Sequence, residues 1–305
     1  MNRVALMFSF RALGGVAAVL CAGCGSSSSQ TLPKTPFYFI GAGDIAQCGA
    51  EAPQNTAAEQ TAKLIRANPE ATVYTLGDNV YDSGTETEFS NCYAPTWGTF
   101  LDRTYPCPGN HDYGTPDAAG YFGYYGGRAG GGRKGYYSYD VGTWHMVSLN
   151  SNVDAQTGSE QDRWLRLDLQ AHKSSRCVLA YWHHPVFSSS AGHGNDPKMA
   201  DLWKTLFEHG ADVVLSGHDH GYERFARQRH DGTADPLGPR EFVVGTGGAG
   251  MYGFLPPRPN SEVRIESAFG VLRFALWEDS YDWLFIPVDP AARLDSGHGV
   301  CQKKP

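Results

Sequence analysis

Apolar residues along the chain cluster in short runs that end on glycine, aspartate, asparagine or histidine. FYFIGAGD from Phe37, TVYTLGD from Thr72, WHMVSLN from Trp144, CVLAYWHH from Cys177 and DVVLSGHDH from Asp212 all follow this pattern. Nearly continuous apolar runs of this length predict strands covered on both faces. Helical periodicity fills the gaps. PQNTAAEQTAKLIRAN is expected to be helical from Pro53, and SEQDRWLRLDLQAH from Ser159, with Asp162 completing a capping box. DPKMADLWKTLFEHGAD has Asp196 as cap, Pro197 at the first helical position and Gly210 past the end. Strands alternating with helices predict an α/β fold. In the last third, EFVVGTGG and FGVLRFALWEDSYDWLFIPV predict strands, the latter a hairpin turning near Glu278 to Ser280 that adds antiparallel character.

The first residues break from this pattern. Arg3 and Arg11 flank a short apolar stretch, and LGGVAAVL is too short to span a bilayer, so residues 1–23 read as an export signal. Small residues precede Cys24, and a Ser-rich, Pro-punctuated run follows it. This is similar to a bacterial lipoprotein leader, with Cys24 lipidated and residues 24–36 a flexible tether. The expected location is the periplasm or cell envelope, with the membrane reached only through a lipid at Cys24. Residues 37–301 read as one domain, with 302–305 as a tail.

Composition narrows the picture further. Apolar residues make up 41% of the 305-residue chain, enough for a sizeable core. The formal charge of −7 becomes −9 without Arg3 and Arg11, and no long basic block exists, which disfavours a nucleic-acid partner. Beyond Cys21 and Cys24 the cysteines are Cys48, Cys92, Cys107, Cys177 and Cys301, an odd number, with Cys48–Cys92 the expected pair. Two glycine-rich stretches mislead. GGRAGGGRKG, residues 126–135, lacks the Ser or Thr a phosphate loop needs after its Lys, and reads as a mobile loop. GTGGAG, residues 245–250, is followed by a proline pair that forbids the helix a dinucleotide site requires, leaving a loop at a pocket rim.

The chemistry lies in what closes the strands: Asp44, Asp78, Asn110 with His111, His183 with His184, and His218 with His220. Side chains beyond the carboxyl ends of strands in α/β sheets can converge on one crevice. Hard oxygen donors and imidazoles suit two cations roughly 3.5–4 Å apart. The H-x-H pair would place both rings on one side only on extended backbone.

GDI at 43–45, GDNVY at 77–81, GNHD at 109–112, HHP at 183–185 and GHDH at 217–220 together resemble the ordered blocks of calcineurin-like metallophosphoesterases, and more narrowly the purple acid phosphatases. The resemblance implies a four-layer αββα sandwich of two mixed β-sheets flanked by helices. It also implies one metal on Asp44, Tyr81 and His220, and a second on Asn110, His183 and His218, with Asp78 bridging. Tyr81 replaces a histidine ligand that the broader superfamily carries at the position of Ala46, where purple phosphatases often have glycine. Its phenolate suits Fe(III), with Fe(II), Zn(II) or Mn(II) beside it, and such a centre keeps a formal charge of about +1 that attracts phosphate. His111 is implied to contact phosphate and His193 to bind substrate or protonate the leaving alcohol. The activity implied is acid phosphatase-like hydrolysis of phosphate monoesters by metal-bound hydroxide. The alternatives are a phosphodiesterase acting on nucleotides or lipid headgroups, and a surface binding protein that keeps the metals without turnover.

Overall fold

The computed structural model describes residues 35–49, 52–53 and 56–302. The expected leader, Cys24 and nearly all of the expected tether lie outside the described residues. Two mixed sheets carry the fold. One runs in the order β15 (Asp295–Val300), β14 (Ser280–Pro287), β13 (Gly270–Leu276), β1 (Phe37–Ala42), β3 (Thr72–Leu76) and β5 (Thr104–Cys107). The other runs β12 (Ser261–Ile265), β10 (Tyr222–Phe225), β11 (Arg240–Val244), β9 (Val213–Ser216), β8 (Cys177–Tyr181), β7 (Trp144–Ser148) and β6 (Tyr137–Val141). A small parallel ladder joins β2 (Ala46–Gln47) to β4 (Val80–Tyr81), pairing Gln47 with Tyr81.

The apolar runs are buried on both faces because each sheet is covered twice. Across the space between sheets, Phe39 and Tyr74 meet Tyr181, and Phe274 meets Phe242. Helix α1 (Ala57–Arg66) buries Ala58, Ala62 and Ile65 and packs against β13. Two very short helices, α2 (Glu86–Glu88) and α3 (Ala119–Tyr125), flank the loops after β4 and β5. Helices α4 (Glu160–Ala171) and α5 (Ala200–Glu208) share a second core, in which Leu165, Leu169, Leu202 and Leu206 bury Val147, Val178 and Val214. The architecture is the mixed α/β arrangement that the sequence resemblance implies.

Details differ from the sequence reading for local reasons. Helix α1 starts at Ala57 rather than Pro53, because the Thr56 hydroxyl accepts the Glu59 N–H and so caps the helix there. Ser159 caps α4, but the Asp162 carboxylate turns back to the Gly158 N–H, 2.8 Å away, so there is no reciprocal box. The stretch expected as a mobile loop contains short 3₁₀ turns over Gly126–Ala129 and Gly131–Arg133. Besides Cys48–Cys92, a second disulfide joins Cys177 to Cys301, leaving Cys107 free and buried.

A buried polar contact at the β7–α4 boundary gives a stability prediction. His145 lies with Nδ1 3.0 Å from Asp140 Oδ1 and Nε2 2.8 Å from Asp168 Oδ2. Burial pushes this imidazole down, but the two carboxylates outweigh it and raise its pKa above the ordinary 6.5. The stabilisation is therefore complete below about pH 6.5 and fades as pH rises through the higher folded-state value. Urea midpoints should fall on going from pH 6 into the alkaline range, and His145→Gln should flatten that fall. An equally steep fall in the variant would assign it to other groups.

Candidate metal centre

The ligand-bearing loops leave the two sheets at the carboxyl ends of parallel strands. Asp44 stands two residues past β1, Asp78 two past β3, His183 two past β8, His218 two past β9, and Asn110 three past β5. Strand pairs β1–β3, β3–β5 and β8–β9 are parallel, so these ends open on one side of each sheet. All seven sequence-predicted ligands come together there.

They form two donor sets. In the first, the Tyr81 hydroxyl oxygen lies 3.0 Å from Asp44 Oδ1, 3.1 Å from Asp78 Oδ2 and 3.1 Å from His220 Nε2. In the second, His183 Nε2 lies 3.0 Å from Asn110 Oδ1, 3.1 Å from His218 Nδ1 and 3.2 Å from Asp78 Oδ2. One oxygen, Asp78 Oδ2, belongs to both.

The surroundings aim these atoms. The other Asp44 oxygen accepts the His218 N–H at 2.8 Å, and the other Asp78 oxygen accepts the His111 N–H at 2.8 Å. Each aspartate thus spends one oxygen on the backbone and presents the second inward. His183 Nδ1 donates to the Leu76 carbonyl at 2.7 Å, and His220 Nδ1 donates to the Gly250 carbonyl. A carbonyl only accepts, so both rings carry a proton on Nδ1 and turn Nε2 to the centre, where it becomes a lone-pair donor once a cation displaces its proton. Asp44, Asp78 and His218 all hold left-handed backbone, with φ of 61°, 49° and 70°. Such backbone in non-glycine residues persists where surrounding contacts over-determine it. The H-x-H pair is therefore not extended; the bend at His218 sends its ring to the second set and His220 to the first, one histidine to each set as the sequence resemblance implies.

Electrostatics alone does not justify this gathering. Asp44 and Asp78 are at most 1% exposed. Burial pushes the Asp78 carboxyl up, but protonated His183 outweighs that and holds it down at about 2. Burial lowers His183, and Asp78 in turn raises it to about 9. Burial lowers His220 as well, but Asp44, its Oδ1 3.4 Å from His220 Nε2, outweighs that and raises the imidazole above its ordinary value. Burial, then Asp44 and Asp78, push the Tyr81 phenol well above its ordinary value. Burial and His183 push His218 down to about 2. Two buried carboxylates, a phenol oxygen and three imidazoles pointed at common centres are costly to gather unless cations occupy those centres. The donor set fits two metal ions.

The two other predicted residues flank the centre. The His111 ring packs on Tyr81 at 4.3 Å between centroids, its Nδ1 donating to the Asp82 carbonyl at 2.6 Å. His193 is exposed, and its ring stacks on that of His218 at 4.0 Å. His184 Nδ1 lies 2.7 Å from the Ser151 hydroxyl, while its ring packs on that of His218 at 4.4 Å and brings a nitrogen within 4.8 Å of donor atoms of His183 and His218.

Sequence reading missed the supports. Asp112 is buried and accepts the Gly109 N–H at 2.8 Å and the Asn79 amide at 2.9 Å, buckling the GDN and GNHD loops together. Tyr252 stacks on His220 at 4.2 Å, its rings parallel within 5°, and the 245–252 loop so becomes the rim expected of it. Gly77 and Gly109 pack against each other, and a Cβ on Gly109 would sit 2.1 Å from Asp78 Oδ1. The glycine before the ligand in GNH was the available signal.

The family model for calcineurin-like phosphoesterases matches residues 29–222. Purple acid phosphatase 22 of Arabidopsis thaliana is 38% identical over 143 residues, covering 44% of this chain and 32% of that protein. Purple acid phosphatase 15 of the same plant is 31% identical over 251 residues, 72% of this chain and 46% of that one. The chain thus spans roughly a third to a half of these relatives' length. A purple acid phosphatase from yellow lupin (Lupinus luteus) seeds shares the fold at a TM-score of 0.66 and 18% identity, over 86% of this chain and 53% of that one.

Proposed function

The chain belongs to the calcineurin-like phosphoesterase family, on its purple acid phosphatase-like branch, and from that membership we propose that it is a two-metal hydrolase of small phosphate monoesters, acid phosphatase-like in its pH range. The observation that carries the reading is the shared oxygen: Asp78 Oδ2 is 3.1 Å from Tyr81 Oη and 3.2 Å from His183 Nε2. A single carboxylate oxygen placed in two complete donor sets is what a bridged pair of cations requires.

Asp44, Tyr81 and His220 would hold one ion and Asn110, His183 and His218 the other, with Asp78 between them. A phenolate donor favours Fe(III) in the first position, and the neutral donors of the second suit Fe(II), Zn(II) or Mn(II). When bound, the ions supply Lewis acidity toward phosphoryl oxygens and make water nucleophilic near neutral pH. The chain does the rest. His111, fixed through its Nδ1 on the Asp82 carbonyl, keeps its Nε2 for a phosphate oxygen. His193, stacked above His218, delivers a proton to the departing alcohol.

The reading is tested on a panel of phosphate monoesters and diesters, with metal analysis of the same sample. Monoester turnover well above diester turnover supports it. Preference for diesters would reassign the substrate class, and two bound ions without turnover would make the chain a binding protein.

The proposal extends to location. The leader pattern around Cys24 and the two disulfides suit an exported, lipid-anchored protein in an oxidising compartment. Cys24→Ser should move the protein from the membrane to the soluble envelope fraction. Retention on the membrane by the variant would refute lipidation at Cys24.

A further inference from the structure

We propose that Asp219, the residue between the two histidines of GHDH, is a positioning residue that sets the His193 imidazole over the metal centre. The proposal rests on the phosphatase reading above and adds to it a residue that neither binds metal nor touches substrate.

Asp219 is 2% exposed. Its Oδ1 accepts the His193 N–H at 3.0 Å, and its Oδ2 accepts the Gly194 N–H at 3.1 Å. Among the described residues no Lys, Arg or His forms an ion pair with it. A buried carboxylate held only by backbone N–H groups is costly unless those bonds are good, and charge-assisted bonds of this kind are the stronger sort. Gly194 takes φ of 79°, which turns consecutive N–H groups toward the same carboxylate.

What the clasp achieves is clear from the neighbours. His193 is an exposed residue on a loop, and a free imidazole there would sample many rotamers. Its ring instead stacks on His218, within 21° of parallel, and meets the edge of Tyr252 at 5.6 Å. Tyr252 in turn stacks on His220. The backbone bond to Asp219 fixes where the His193 ring starts, and the two aromatic contacts fix where it ends. Because Asp219 is covalently between His218 and His220, the loop that carries the proton donor is tied directly to the segment that carries a ligand of each donor set. A shift of the GHDH segment moves His193 with it.

The test uses the metal-loaded enzyme as wild type, Asp219→Ala, Asp219→Asn, His193→Ala and Asp219→Ala/His193→Ala. Loss of a positioned proton donor matters most for a poor leaving group. Asp219→Ala should therefore lower kcat on an alkyl phosphate by roughly tenfold or more, with a smaller loss on p-nitrophenyl phosphate and little change in KM. It should cause no further loss when His193 is already alanine. Asp219→Asn, which keeps an acceptor oxygen, should recover part of the activity. Amide hydrogen exchange at residues 193 and 194 should quicken in Asp219→Ala while metal content and the visible spectrum stay unchanged. Additive losses in the double variant, loss of metal, or unaltered exchange would each overturn the proposal. If the wild type hydrolyses no ester, the phosphatase reading fails by itself, and the exchange comparison still decides whether Asp219 holds the loop.

Discussion

Tyr81→Phe is expected to bleach the iron-loaded protein and to weaken metal binding at that position by at least about 100-fold. The colour would come from charge transfer between a phenolate and Fe(III), and phenylalanine has no oxygen to supply it. The magnitude follows from comparison: outer partners that merely orient a ligand are worth about 10–100-fold in affinity, and Tyr81 is placed as a ligand itself, 3.0–3.1 Å from three other donor atoms. The fold should survive, because the ring lies against His111 and phenylalanine keeps that contact. Visible spectra and metal analysis of the two proteins, reconstituted side by side, check this. A variant that keeps its colour would place the chromophore on another residue.

Gly109→Ala is the second large effect, and it needs no change to any ligand. The added Cβ would lie 2.1 Å from Asp78 Oδ1 and 2.2 Å from the Asp78 N. Neither atom can yield cheaply. Asp78 Oδ1 is anchored by the His111 N–H, and Asp78 holds a left-handed backbone. Overpacking of this kind costs about 1–3 kcal/mol, but activity should suffer more. The displaced carboxylate is the one common to both donor sets, and a misplacement of about 1 Å can cost 100-fold in rate. The expected outcome is a folded protein with a modestly lower Tm and activity down by about two orders of magnitude or more. Near-normal activity would mean that the loop relaxes without moving Asp78, and that its position is less critical than the geometry implies.

Asp44, Asp78, His183, His218 and His220 were legible because each follows a run whose apolar pattern is strong, and a polar residue that closes a buried strand has few other uses. Asn110 and Tyr81, by contrast, became candidate ligands only through the ordered motif blocks. The strand before GNHD was not legible, since Pro106 interrupts its pattern although β5 accommodates it at the sheet edge. The conformation of H-x-H escaped for a different reason. An alternating pair suggests extended chain, while the bend at His218 is imposed by contacts such as its N–H on Asp44, a partner 174 residues away. Asp112, Asp219 and Tyr252 belong to the same class: their roles are set by loops that meet only after folding, and nothing in their immediate sequence marks them. The Cys177–Cys301 bridge likewise closes over a separation of 124 residues, and spacing alone does not choose among pairings.

The central claim is that Asp78 offers one oxygen to two cations. Anomalous diffraction from crystals of the iron- and zinc-loaded protein tests it most directly: the account predicts two metal peaks flanking Asp78 Oδ2, one beside Tyr81 and the other beside His183. A single peak, or two that do not share that oxygen, would contradict it.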